Sequence, residues 1–208
     1  MKKYLSLLLA LVLAAALAGC GEDRGAVSAK PVLYLYPQEE TTVSIQLDYN
    51  GRLTTTYPAY GDGWTVTAHP DGTLTDPETG RDYYCLFWEG GSPVEYDFSE
   101  GFVIPGEETA AFLEGALAQL GLTEREANEF LIYWLPRMEG NPYNLIAFQE
   151  EVYTQNAALT ISPAPDTLLR VFMAWQGLEA PVEVRPQTLT PTPRTGFTVV
   201  EWGGAEVG

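Results

Sequence analysis

Two short segments of this 208-residue chain share one arrangement: Trp88-Glu89-Gly90-Gly91 and Glu201-Trp202-Gly203-Gly204 each set a carboxylate beside an indole and end in paired glycines. Two carboxylates flanking a glycosidic bond can break it, one as proton donor and the other as base or nucleophile, while indoles stack on sugar rings. On this reading Glu89 and Glu201 are the catalytic pair, and Trp88 and Trp202 the stacking platforms, of a cell-wall glycan hydrolase. The chemistry fixes a separation of about 5 to 5.5 Å for retention or about 6.5 to 9.5 Å for inversion. Adjacent side chains on a strand face opposite ways, so a core-facing Trp next to a solvent-facing Glu is the simpler account of both segments.

Other reactive residue types are sparse. His69 is the single histidine, which excludes a zinc site built on paired histidines and most protease arrangements. A Cys85-His69 pair is conceivable, but activated thiols sit at helix N-termini or electropositive spots, and the run Tyr83-Tyr84-Cys85-Leu86-Phe87-Trp88 reads as an apolar strand holding a buried, inert thiol. Asp71, Asp76, Glu78 and Asp82 gather around Gly72 and Gly80 without the alternating-ligand pattern of a calcium loop, and turn chemistry explains them as well. No metal and no cofactor is expected. Aromatic residues outside regular elements, Tyr57, Tyr60, Trp64 and Tyr143 with Asn144 nearby, are candidates for lining a groove.

The clearest chemistry is at the N-terminus. Met1-Lys2-Lys3 precedes an apolar run from Tyr4 to Ala18 broken only by Ser6, and Leu17-Ala18-Gly19-Cys20 closes it. That is the layout of a cleavable export signal, and the run is shorter than the roughly 20 residues a membrane-spanning helix needs. The last four residues resemble the lipobox of bacterial lipoproteins. The resemblance implies that the Cys20 thiol receives a diacylglyceryl group and that cleavage falls just before it. Two acyl chains suffice for stable anchoring. Residues 21–29 have no apolar period and read as a tether reaching about 30 Å at most, so the folded part is expected at the outer face of the cell membrane.

The formal charge of −17 becomes −19 once Lys2 and Lys3 leave with residues 1–19, which hold no acid. Nucleic acid is therefore not an expected partner, because its binding is driven by Lys and Arg displacing counterions. With Cys20 assigned to the lipid, Cys85 has no partner and no disulfide framework exists.

The elements that would position these residues fall into two parts. From residue 30 to 101 the chain is a series of β-prone runs: 42–49 alternates Val43, Ile45, Leu47 and Tyr49 with polar residues, meets Asn50-Gly51, and returns through 53–57 as an expected hairpin. A second hairpin is expected from 64–69 and 73–75 across Pro70-Asp71-Gly72. After Pro105-Gly106 the spacing of Phe112, Leu113, Ala116, Leu117 and Leu120 predicts an amphipathic helix stopped at Gly121. Thr123, with Glu126 three residues on, caps a second helix expected to end or kink near Leu135 at Pro136. Residues 144–153, 158–162, 168–175 and 197–202 read as strands, and a proline-spaced stretch at 180–193 as an extended connection. The expected organisation is a signal peptide (1–19), a lipidated tether (20–29), a β-rich part (30–101) and an α+β part (102–208). The fold class is α+β: an N-terminal antiparallel β-sandwich-like part, then an αα-hairpin packed on further antiparallel strands.

Long stretches of this text resemble a family of exported lipoproteins of Gram-positive, mainly clostridial, bacteria. They include residues 30–37 (KPVLYLYP), 47–51 (LDYNG), Gly63-Trp64 with 70–74 (PDGTL), and 87–90 (FWEG). Residues 122–130 (LTEREANEF), 133–136 (YWLP) and 196–204 (GFTVVEWGG) extend the resemblance over nearly all of the mature chain. It implies no activity and no site. With no recognisable catalytic constellation, the favoured function is a non-catalytic binding or scaffolding module of the cell envelope, with membrane lipid as the partner of Cys20 and an envelope protein or wall glycan as the partner of the folded part. The glycan hydrolase stands as the alternative.

Overall fold

The computed structural model describes residues 27–208. Its centre is an eight-stranded sheet in the order β12-β8-β9-β11-β13-β1-β7-β3. These strands are β1 (Val27–Tyr36), β3 (Arg52–Tyr57), β7 (Leu86–Gly91), β8 (Glu100–Pro105), β9 (Tyr143–Phe148), β11 (Thr167–Leu178), β12 (Arg185–Pro186) and β13 (Thr198–Glu206). Pairing is antiparallel except for β11 with β13 and β12 with β8. A second, five-stranded antiparallel sheet runs β10-β2-β4-β5-β6, from β2 (Thr41–Tyr49), β4 (Trp64–Ala68), β5 (Leu74–Thr75), β6 (Asp82–Tyr83) and β10 (Ala157–Ser162).

The large sheet is covered on both faces, and the period of two along each central strand feeds two cores. On β1, Val32 and Tyr34 join a core with Phe130, Trp134, Leu113 and Leu117 of the helices, while Leu33 and Leu35 join another with Val43, Ile45, Trp64 and Val66 of the second sheet. On β13, Val200 and Trp202 face the helices and Val199 and Ala205 the second sheet. The fold is α+β in three layers: a helical hairpin, an eight-stranded sheet and a five-stranded sheet.

The hairpin consists of α1 (Thr109–Leu120), entered through a 3-10 turn at Gly106–Glu108, and α2 (Glu124–Met138). Gly121 ends α1 in the left-handed conformation (φ 106°), its N–H reaching the carbonyls of Leu117 and Ala118 at 3.2 Å each. Thr123 and Glu126 form the expected capping box: the Thr123 hydroxyl accepts the Glu126 N–H at 3.3 Å, and the Glu126 carboxylate accepts the Thr123 N–H at 2.8 Å. Of the two outcomes expected at Pro136, the helix does not end there but runs on to Met138. The hydrogen bond lost there belonged to the Ile132 carbonyl, and Ile132 is 76% exposed, so that carbonyl can turn to water. The expected strand at 144–153 divides: it ends at Phe148, and α3 (Glu150–Asn156) follows.

Strand pairing departs from the sequence reading in three places. The expected hairpin about Asn50-Gly51 does not form: β2 lies in the small sheet between β10 and β4, and β3 lies in the large sheet beside β7. The Asn50 N–H is satisfied by the Asn156 carbonyl at 2.8 Å, so the turn carries the chain from one sheet to the other. The run at 83–88 is likewise split, β6 belonging to the small sheet and β7 to the large one, with Tyr84-Cys85 as the corner between them. The third departure concerns the boundary at Gly101, which lies inside β8; both sheets take strands from both parts. The second expected hairpin does form, β4 pairing with β5 around a turn in which Gly72 (φ 89°) donates its N–H to the His69 carbonyl.

The proline-spaced stretch is a strap, paired to β8 through β12 and tied at three further points, the last at Arg194 just past its end. Gln187 exchanges hydrogen bonds with the Phe148 backbone at 2.8 and 2.6 Å, Gln119 donates to the Leu189 carbonyl at 2.9 Å, and Arg194 pairs with Glu126 at 2.7 Å. No helix among the described residues is long and apolar enough to cross a membrane.

Candidate functional site

The two echoing segments lie on either side of β1, Gly90 and Gly91 opposite Ser28 and Val27, and Gly204 opposite Ala29. They do not make a catalytic pair. Glu201 is 0% exposed and points between the two sheets. One of its oxygens accepts the Trp88 indole N–H at 3.1 Å, and the other is 2.6 Å from Arg170 Nη2 and accepts from Nε at 2.7 Å. The Arg170 guanidinium stacks over the Tyr153 ring, 4.6 Å from its centroid. Burial, with the Glu201 charge beside it, pushes the Tyr153 hydroxyl well above its ordinary pKa. The carboxylate is thus enclosed and already paired, with no open cleft through which a glycosidic oxygen could meet it.

Glu89 follows Trp88 on β7 and projects from the other face of the sheet, toward Lys30 and Tyr133 of the helix side. The sheet itself stands between the two carboxylates, so Glu89 and Glu201 cannot act on one bond. The platforms fail for the same reason. Trp88 is buried between the sheets against Tyr49, Trp202 is buried on the helix side against Phe130 at 5.3 Å, and both are 0% exposed.

The other sequence candidates also resolve into structure. His69 contacts Thr75 at 3.2 Å and Glu40 at 3.6 Å rather than Cys85. Burial pushes the Cys85 thiol up to about 11, the opposite of activation. Asp71 accepts the Thr73 N–H, and Asp76 those of Glu78 and Thr79, which holds both carboxyls below the usual carboxylate range. These are turn contacts, and no cluster of metal-ligating side chains occurs among the described residues.

A site does form where the sheets part at the Tyr84-Cys85 corner. Lys30, Val32, Tyr57, Asp82, Tyr83, Tyr84, Cys85 and Phe87 line an open groove of about 500 Å³, within the range typical of ligand sites. Tyr57 and Tyr84 are 50% and 55% exposed, among the few large apolar side chains so placed. Arg81 lies over the Tyr57 and Tyr83 rings at 5.9 and 5.6 Å, and these rings meet edge to face at 5.5 Å. Of the residues singled out from sequence as groove candidates, Tyr57 alone lines this one. Trp64 is buried and bonded to the Pro58 carbonyl, Tyr60 bonds the Leu47 backbone, and Asn144 is buried against Thr109.

Lys30 is the residue that sequence reasoning missed. It has φ 61°, in the left-handed region, and both pairings of β1 lose register around it. Pro31 cannot donate to a ladder, so a strand in the middle of a sheet can carry it only at such a bulge. The bulge turns the Lys30 ammonium to the groove, 5.8 Å from the Phe87 centroid and 5.5 Å from that of Tyr133. The signal was present in the Lys30-Pro31 pair at the head of an apolar strand.

A protein of Butyrivibrio fibrisolvens, described as an uncharacterised protein in the bglA 3′ region, is 45% identical over 85 residues, covering 38% of this chain and 86% of that protein. This chain belongs to the same family. The relative is from a Gram-positive bacterium and brings no activity with it. No family model and no solved structure matches the chain.

Proposed function

We propose that this protein is an extracytoplasmic lipoprotein, one of the exported family of mainly clostridial bacteria, anchored through a lipid on Cys20, and that it serves the cell envelope as a non-catalytic binding module. Cys20 lies outside the described residues, and the anchoring rests on the signal-like run and the lipobox at 17–20. The observation that carries the binding reading is the groove at the Tyr84-Cys85 corner, where two half-exposed tyrosines flank a cavity and no carboxylate pair faces it. Six residues separate Cys20 from Val27, and their seven Cα-to-Cα steps reach at most about 25 Å, which would hold the groove close to the membrane and the inner wall. The alternative of a hydrolase acting through Glu89 and Glu201 is opposed by their placement on opposite faces of the sheet.

The test is thermal unfolding with and without solubilised wall fragments. Binding adds about 2.7 kcal/mol to the unfolding free energy when ligand exceeds its dissociation constant a hundredfold, and so raises the unfolding temperature. Tyr57→Ala and Tyr84→Ala, which alter exposed side chains, should abolish the shift while leaving the unliganded transition nearly in place. An equal shift in the variants would place binding elsewhere, and no shift with any wall fraction would remove the reading.

A further inference from the structure

The charged groups around the groove differ in how they are partnered. Each nearby acid has a hydrogen-bond partner, and Glu129 also an ion pair: Asp82 accepts the Thr75 hydroxyl at 2.7 Å, Glu129 accepts the Tyr34 hydroxyl at 2.6 Å and pairs with Arg125 at 3.5 Å, and Glu89 faces the Lys30 backbone N–H at 3.4 Å. The Lys30 ammonium has aromatic rings on one side, and among the described residues it forms no ion pair. A left-handed backbone at a residue other than glycine costs roughly 1 kcal/mol or more, and such conformations gather at ligand sites. Here the cost places the Lys30 ammonium on one side of an aromatic groove whose Tyr57–Tyr83 side carries Arg81, and neither cation forms an ion pair among the described residues.

A cation held in this way matches an anionic group, and the Tyr57 and Tyr84 rings beside it offer apolar faces on which the C–H face of a sugar can lie. The open shape of the groove suits a chain better than an enclosed small molecule. We infer that the groove binds a glycan carrying a carboxylate, with Lys30 meeting the acid and Tyr57 and Tyr84 stacking on the ring. The inference rests on the binding reading above and narrows it to an acidic saccharide. Lys30 then decides specificity, and the tyrosines supply affinity common to charged and neutral rings.

The experiment is titration calorimetry of the full chain in detergent with three probes: a muramyl disaccharide with its free lactyl carboxylate, the methyl ester of that disaccharide, and a neutral chitin trisaccharide. The wild type should bind the acid at least tenfold more tightly than the ester, with the preference shrinking as salt is raised. Lys30→Gln should lose the preference and bind both at the ester's affinity, whereas Tyr84→Ala should weaken both by the same factor. Lys30→Asn, which tolerates the left-handed backbone better than most residues, guards against a folding defect and should behave like Lys30→Gln. Equal affinity of the wild type for acid and ester overturns the acidic-glycan inference while leaving a binding module standing. Binding of none of the three probes overturns the inference, and the broader reading then depends on the wall-fragment measurement. A preference for phosphatidylglycerol over phosphatidylcholine vesicles that is lost in Lys30→Gln, with none of the three saccharides bound, would assign Lys30 to a lipid headgroup and overturn the inference as well.

Discussion

The guanidinium of Arg170 and the carboxylate of Glu201 meet at 2.6 Å between the two sheets, where their side chains are 5% and 0% exposed. They stand opposite each other on β11 and β13, the parallel pair near the middle of the large sheet. Removing both charges from water costs several kcal/mol each, which their attraction offsets only with good geometry. Because side chains alternate faces, a one-residue slip between β11 and β13 would set Arg170 level with Val200 or Trp202, which face the helices, and leave both charges unpaired. The pair therefore selects one register.

Breaking it from either side should be severe. Glu201→Gln and Arg170→Met are each expected to cost about 3 to 5 kcal/mol in chemical denaturation, since each leaves one partner uncompensated. The double variant Arg170→Met with Glu201→Leu should recover much of the loss. Additive losses in the double variant would show that the two residues act independently.

The start of α2 carries two separable contributions. Thr123→Ala removes the cap acceptor and should cost about 1 kcal/mol. Arg194→Ala leaves the cap but unties the strap from Glu126, so limited proteolysis should cut within residues 188–196 faster than in the wild type. Unchanged cutting there would mean that Gln187 and Gln119 suffice to hold the strap.

The Cys85 thiol is pushed from 9.0 to about 11 by burial, so the folded protein keeps the proton more tightly than the unfolded chain does. The stability linked to this group is then fully present below about pH 9 and is lost as pH rises through about 11. Alkylation by iodoacetamide in the folded state should be slow at pH 8 and reach half its limiting rate near pH 11. A plateau already reached at pH 9 would contradict the burial of the thiol.

Anchoring makes its own prediction. Cys20→Ala should abolish incorporation of a clickable fatty acid and leave an uncleaved or released product. Persistent labelling of the variant would contradict lipidation at this residue.

Local signals in the sequence were reliable where the structure is local. The capping box at Thr123, the stop at Gly121 and the turn at Asp71-Gly72 all involve contacts within a few residues, and all form as read. What failed depended on distant partners. Asn50-Gly51 supports any tight reversal, but β2 finds its neighbours in β4 and in β10, the latter more than a hundred residues further on. Alternation along 83–88 could not reveal that the two halves of the run belong to different sheets. The Trp-Glu-Gly-Gly echo is a real regularity with a packing cause: a Cβ on Gly203 would lie 3.0 Å from Pro31 Cα, and one on Gly90 2.4 Å from the Tyr49 ring. The glycines next to β1 make room for its bulge and for side chains packed beneath the sheet. The feature that looked catalytic is thus part of what lets Lys30 reach the groove.

The position of β1 also bears on how the protein reaches this state. The first described strand lies between β7 and β13, and the latter is the last described strand. A polypeptide emerging from its N-terminal end has to wait for residues 198–206 before that side of β1 can pair. Until then the edge carrying Val32, Leu33, Tyr34 and Leu35 is an open template for another chain. Contacts so far apart in sequence slow folding, because loop closure precedes any compensating contact. That side of the central sheet can close only once residues 198–206 are available, which makes the interval before then the period in which this chain most needs protection from aggregation.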